Sequence, residues 1–189
     1  MKGNNKRGSL RIVGGRWRGR RLTLAKAPEL RPTSDRIRET LFNWLAPHIR
    51  DARCLDLYAG SGALGLEALS RSASSCDFVE QDPRCGEQLL DHIQSLDCER
   101  RCSCTQAMAK EYLKNYRGSA WDVIFLDPPF GRSMIEESLD QLIEQALLAP
   151  DTLVYLEYGR REQVGWNKYL TCLKQKETGD VAYGLFQLR

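Results

Sequence analysis

The chain has 189 residues, 28% of them charged and 42% hydrophobic, with a formal net charge of +3. That length suits one α/β domain with a small appendage and a proper core, and no apolar run reaches the roughly 18 residues that a membrane span requires. The first nine residues are polar and basic and lack the apolar stretch of a secretory signal, which predicts a cytoplasmic protein; its seven cysteines then read as reduced thiols.

The charge is unevenly spread. Residues 1–36 carry 11 lysines and arginines against two acids, a net +9, and the rest of the chain has 17 bases and 23 acids, a net −6. A basic N-terminal arm that meets phosphates, on an acidic body with another task, fits this division. Cys98, Cys102 and Cys104 cluster in sequence, but the two histidines, His48 and His92, fall in expected helices and supply no fourth ligand at zinc-site spacing, so no metal is expected. Cys54, Cys102 and Cys104 read instead as small apolar residues in strands.

In chain order, residues 1–8 read as a disordered basic tail. Residues 9–32 follow as a basic hairpin and linker. Leu10-Arg11-Ile12-Val13 and Arg16-Trp17-Arg18-Gly19-Arg20-Arg21-Leu22 flank Gly14-Gly15, which suits a two-residue hairpin turn. Five arginines around Trp17 favour contact with an RNA backbone; the alternative is a solvated hairpin that packs Trp17 on the body. Pro28 and Pro32 mark the linker, and the main domain, 33–189, starts with a helix capped by Thr33 or Ser34. Ile37, Leu41 and Leu45 fall on its inner face, which leaves Arg36 and Arg38 for substrate contact or plain surface charge.

Residues 53–65 are the centre of the sequence. Cys54, Leu55 and Leu57 read as a buried parallel strand, Gly60, Ser61 and Gly62 as a sharp turn that lets a ligand approach the backbone, and residues 63–71 as the helix that follows. Gly60-x-Gly62-x-x-Gly65 also matches the dinucleotide fingerprint, with Glu80 as its acidic partner. A second strand ends at Glu80, whose carboxylate can accept both hydroxyls of a ribose. Asp82-Pro83 opens a helix over 83–97, with Leu89, Leu90, Ile93 and Leu96 inward. A third strand, 101–106, leads to Ala107-Met108, where backbone amides and Met108 meet an adenine, or Met108 packs into the core. Residues 121–126 form a fourth strand that delivers Asp127-Pro128-Pro129-Phe130. A helix at 134–148, a strand at 152–157 and two antiparallel strands at 168–174 and 181–188 complete the pattern.

The tetrapeptide carries the chemistry. An exocyclic amine on a base has its lone pair delocalised into the ring and is a poor nucleophile. Asp127 can accept one of its N–H groups and the Pro128 carbonyl the other, which favours a pyramidal nitrogen aimed at an electrophile. Pro129 stiffens the turn and Phe130 offers a face for stacking an extruded base. Asp56, four residues before the first glycine, together with Asp127 to Phe130 after a later strand, resembles the S-adenosylmethionine-dependent methyltransferases of nucleic-acid amines.

The order of Arg11 to Leu22, Arg31-Pro32-Thr33-Ser34-Asp35-Arg36-Ile37-Arg38 with its helix, Asp56 to Arg71, Asp127 to Phe130 and the closing Gly179-Asp180-Val181-Ala182-Tyr183-Gly184 resembles more closely the bacterial family that methylates the N2 amine of one guanine in 16S ribosomal RNA. The resemblance runs from Ser9 over nearly the whole chain. It implies a Rossmann-like class I methyltransferase fold, a mostly parallel seven-stranded sheet with helices on both faces. It implies S-adenosylmethionine as cofactor, its methionine part against Asp56, Gly60 and Gly62 and its ribose on Glu80, with Tyr58, Gln81, Ala107, Met108 and Asp127 completing the set. Asp127, Pro128, Pro129 and Phe130 would hold the target base. Arg11, Arg16, Trp17, Arg18, Arg20, Arg21, Arg31, Arg36 and Arg38 would grip 16S RNA in the small ribosomal subunit or an assembly intermediate, with the protein acting as a monomer. A DNA adenine-N6 methyltransferase shares the tetrapeptide and is the rival reading. A non-catalytic binding module or a nicotinamide enzyme is disfavoured, the first by the intact Asp56 and Asp127 and the second by the lack of a hydride-transfer acid or base near the third glycine.

Overall fold

The structure, a computed structural model, describes residues 9–23, 33–130 and 133–189; the linker prolines and Arg31 lie outside them. Strands β1 (Ser9–Arg11) and β2 (Arg21–Thr23) precede α1 (Asp35–Leu45). Alternation follows: β3 (Arg53–Asp56), α2 (Ala63–Ser70), β4 (Ser75–Glu80), α3 (Pro83–Ser95), β5 (Cys102–Gln106), α4 (Ala109–Asn115), β6 (Val123–Leu126), α5 (Met134–Glu144), β7 (Leu153–Gly159) and the pair β8 (Leu170–Thr178) and β9 (Val181–Leu188). The seven-stranded sheet has the order β5-β4-β3-β6-β7-β9-β8. Its first five strands are parallel, and β9 and β8 are antiparallel additions.

Why the layers form is visible in the strands. β6 and β7 are apolar at nearly every position, as strands covered on both faces must be. Cys54, Val123, Phe125 and Tyr155 face one layer, built on α1, α2 and α3. Leu55, Ile124, Leu126 and Leu156 face the other, with residues of α4 and α5. The chain runs outward from β3 to β5 and then returns to β6, so the order reverses between β3 and β6. In open α/β sheets ligands bind at the carboxyl ends of the strands flanking such a reversal. Among the described residues no helix is long and apolar enough to cross a membrane.

Several expectations need correction. Gly14-Gly15 is not a two-residue turn, because β1 pairs with β2 through Ser9↔Thr23, Leu10↔Leu22 and Arg11↔Arg21, so residues 12–20 form a longer loop. The glycines serve a close approach instead. Gly15 has φ +73°, and a Cβ there would collide with the Ser70 carbonyl at the end of α2. Arg16 N–H donates to that same carbonyl at 2.7 Å, and the Ser70 hydroxyl donates to the Gly14 carbonyl at 2.6 Å. Leu10, Ile12, Trp17 and Leu22 thereby join the core of α1–α3. Leu90, expected inward, is 53% exposed, since it follows Leu89 by about 100° around α3. Cys104 is exposed because β5 is an edge strand of the sheet. The short helix α4 had no periodic signature; of its residues only Leu113 is buried.

Candidate active site

The cradle at the end of β3 is built by a buried carboxylate. Asp56 is 2% exposed, and its Oδ2 accepts the Gly65 N–H at 2.9 Å, which ties the strand to the first turn of α2. Burial, with Glu80 nearby as a lesser cause, pushes its pKa up to about 7 against the pull of the Gly65 bond. Between them the chain turns through Gly60 (φ +51°) and Gly62 (φ +78°). A side chain at Gly62 would be strained and its Cβ would come within 2.5 Å of the Leu89 side chain. Glu80 at the end of β4 braces the turn, accepting the Gly60 N–H at 2.7 Å and the Asp82 N–H at 2.7 Å. Each of its oxygens keeps a second lone pair. Gln81 is exposed beside it. Ala107 N–H donates to the Glu80 carbonyl at 3.2 Å, which brings the loop after β5 to the same rim.

Met108 is 54% exposed at that rim, so its packing into the core is ruled out. Tyr58 turns its hydroxyl to α5, 2.7 Å from the Ser138 hydroxyl and donating to the Met134 carbonyl at 3.2 Å. These residues fit a cofactor with a diol and a cationic amino-acid part. Glu80 presents acceptor lone pairs for two hydroxyls, the positive-φ glycines keep the backbone clear of side chains, and Asp56 is a carboxylate that a cation would return to its ionised form.

The tetrapeptide leaves β6 on the other side of the reversal. Asp127 is half-buried and Pro128 buried, with Pro129 and Phe130 exposed; Phe130 is 41% exposed. Asp127 Oδ2 accepts the Thr33 hydroxyl at 2.7 Å. Burial and the neighbouring Glu157 push the Asp127 pKa well above the usual carboxylate range, and the Thr33 bond opposes them. Glu157, at the same level on β7, is 5% exposed and accepts the Tyr155 hydroxyl at 2.7 Å. Asp56, Asp127 and Glu157 all lie on the α1 side of the sheet, two residues apart in phase with Cys54, Phe125 and Tyr155.

Sequence reasoning singled out Thr33 only as a helix cap, and in the structure Ser34 takes that task, accepting the Ile37 N–H. Glu157, Tyr155 and His92 were not singled out as functional at all. His92 sets one ring nitrogen 3.2 Å from the Ser61 carbonyl and the other 2.8 Å from the Thr23 carbonyl, joining the glycine turn to β2. A glutamate ending an apolar strand was the one readable signal for Glu157.

Two of the expected RNA contacts are corrected. Trp17 is 5% exposed, with the Arg101 guanidinium 5.4 Å from its ring centre, so it packs on the body and cannot stack on a base. Arg38 is 1% exposed. It bonds the Asp35 carboxylate and the Thr33 carbonyl at 3.3 Å, and lies 3.7 Å from buried Glu67. Its guanidinium is spent on a buried network that also receives Val13 N–H and Arg71 on Glu67, because α1 turns that face into the core. Arg16, Arg18, Arg21 and Arg36 are exposed. Arg11 pairs with Asp35 at 3.0 Å, and Arg20 donates to the Ser95 carbonyl at 2.8 Å.

A carboxylate at the end of the second parallel strand, a glycine turn after the first and an Asp-Pro-Pro-aromatic loop after the fourth, on a sheet closed by an antiparallel pair, define a Rossmann-like methyltransferase. The comparisons refine the class. Residues 10–187 match the family described as Conserved hypothetical protein 95, and the chain belongs to it. It is 41% identical to the ribosomal RNA small subunit methyltransferase D of Haemophilus influenzae, over 97% of this chain and 96% of that one. With the protein of the same name from Escherichia coli strain K12 it shares 42% identity over 95% and 90% of the two chains. The solved structure of yhhF from Escherichia coli superimposes with a TM-score of 0.86 at 42% identity, covering 96% of this chain and 99% of that one.

Proposed function

We propose that the protein transfers a methyl group from S-adenosylmethionine to the N2 amine of a guanine in 16S ribosomal RNA. The observation that carries this reading is the placement of Asp127 to Phe130 across the sheet reversal from the Asp56, Gly60–Gly62 and Glu80 cradle. The bound cofactor supplies an electrophilic methyl on a good leaving group. The protein's own residues then have to hold the amine in line. Asp127, with one oxygen fixed by Thr33, accepts one amine N–H on the other oxygen, and the Pro128 carbonyl accepts the second. Phe130, open to solvent, supports the base. Positioning of this kind is worth about 7–11 kcal/mol. As the nitrogen becomes cationic it sheds a proton, and the raised pKa of Asp127 makes its carboxylate a better acceptor than an ordinary aspartate. Glu80 takes the ribose hydroxyls, and Ala107 and Met108 border the adenine.

Residues 33–189 form the methyltransferase domain, and the arm at 9–32 serves RNA through Arg16, Arg18 and Arg21, joined by Arg36 of α1, with Arg31 beyond the described residues. The substrate is the small subunit or its assembly intermediate, met in the cytoplasm by a monomer. The test is to incubate the protein and methyl-labelled S-adenosylmethionine with small subunits from a strain lacking the enzyme, then digest the RNA. Label in N2-methylguanosine is expected. Label instead in the N6-amine of adenine in DNA, under parallel conditions, would replace this reading with the DNA one.

A further inference from the structure

Guanine and adenine each present an exocyclic amine that Asp127 and the Pro128 carbonyl could hold, so the tetrapeptide does not choose between them. The choice lies one atom along the Watson–Crick edge. Beside its amine guanine carries N1–H, a donor, where adenine carries a bare N1, an acceptor. A group that reads this difference has to sit next to Asp127, be fixed in place and accept hydrogen bonds. Glu157 meets all three conditions.

β6 and β7 are parallel and paired through Leu126↔Leu156, so the next residues, Asp127 and Glu157, leave neighbouring strands in step and on the same face. Adjacent strands lie about 4.8 Å apart, close enough for two side chains to converge on one base edge. Glu157 is buried to 5% exposure and is held by the Tyr155 hydroxyl on Oε2 at 2.7 Å. It also lines a small cavity beside Pro128, Pro129 and Phe130 of the tetrapeptide. Its charge reaches Asp127, whose proton affinity it raises.

We infer that Glu157 selects guanine, its carboxylate accepting N1–H while Asp127 and Pro128 hold the N2 amine. An adenine in the same place would set a lone pair against the carboxylate, and a site built to bond a donor rejects an isostere without it. The inference rests on the guanine-N2 reading and adds the residue that enforces it.

The experiment uses small subunits rebuilt with 16S RNA that carries either guanine or 2-aminopurine at the methylated position. 2-Aminopurine keeps the amine but has a bare N1. Wild-type protein should prefer guanine by ~100-fold or more in kcat/KM. Glu157→Gln, whose amide can donate to a bare N1, should lose at least ~10-fold on guanine and cut the preference by ~30-fold or more. A preference unchanged in Glu157→Gln, with both rates lowered alike, would overturn the inference. So would wild-type protein that methylates both bases equally, a result that holds even if the variant does not fold. Absence of label in guanine subunits with wild-type protein would instead sink the underlying reading.

Discussion

On the proposed function, Asp56 should tie cofactor binding to pH. In the free protein its carboxyl is buried and titrates near pH 7, about three units above an unperturbed aspartate, so holding it ionised costs on the order of 4 kcal/mol. Because a raised acid binds its proton in the folded state first, stability of the free protein falls as pH rises from about 4 to about 7. S-Adenosylmethionine, the cofactor proposed above, brings a sulfonium and an ammonium, which favour the ionised form. Affinity should therefore fall as pH drops through 7, by about tenfold from pH 8 to pH 6 and about tenfold per unit below that. Asp56→Asn keeps an oxygen for the Gly65 N–H and removes the titration. The variant should bind the cofactor more weakly at pH 8, show a flat profile, and unfold at a higher temperature than wild type at pH 8 when free of ligand. Calorimetry from pH 5.5 to 8.5 measures the affinities, and buffers of different ionisation enthalpy report the proton released on binding. A wild-type affinity constant across that range, or a slope that survives in Asp56→Asn, would refute the argument.

The remaining predictions test separate parts of the structure. Thr33→Val removes the hydroxyl on Asp127 Oδ2 at nearly constant shape; kcat should fall about tenfold, for a bond worth about 1–2 kcal/mol, with KM little changed. Since that bond holds the Asp127 pKa down, the acid limb of the kcat profile should move to higher pH, and Thr33→Ser should restore both. Trp17→Ala should cost about 3–5 kcal/mol in urea unfolding, as for other buried large side chains; a cost below about 1 kcal/mol would return Trp17 to the surface. Replacing Arg16, Arg18 and Arg21 together by alanine should flatten the salt dependence of RNA binding by about two units of slope, at about 0.7 per phosphate contact, and an unaltered slope would make them plain surface charge.

What the sequence could reveal depended on the range of the interactions involved. The order of strands and helices apart from α4 and the approximate ends of β3, β4, β6 and β9 were readable, since each rests on a local apolar run bounded by a turn. So were Asp56, Glu80 and Asp127, which sit at fixed offsets from glycines or prolines that shape the backbone beside them. The charge count marked the N-terminal region as basic but could not divide its members. Arg36 and Arg38 stand two residues apart with the same charge, and only the rotation of α1 sends one to solvent and the other onto Glu67. Trp17 is a similar case, since the partner that buries it, the end of α2, lies more than 50 residues away.

The site residues missed from sequence share one cause. Thr33 and Asp127 are 94 residues apart and meet in a single bond, and Glu157 stands beside Asp127 only because β7 is laid down next to β6. No motif spacing links either residue to the tetrapeptide, because the geometry is set by strand register. That division also bears on function. The local motifs specify what any amine methyltransferase needs, a cofactor cradle and an acceptor for the amine. The discrimination between one base and another falls to residues such as Glu157, which the fold brings up from a neighbouring strand and which a change of side chain can retune without disturbing the cradle.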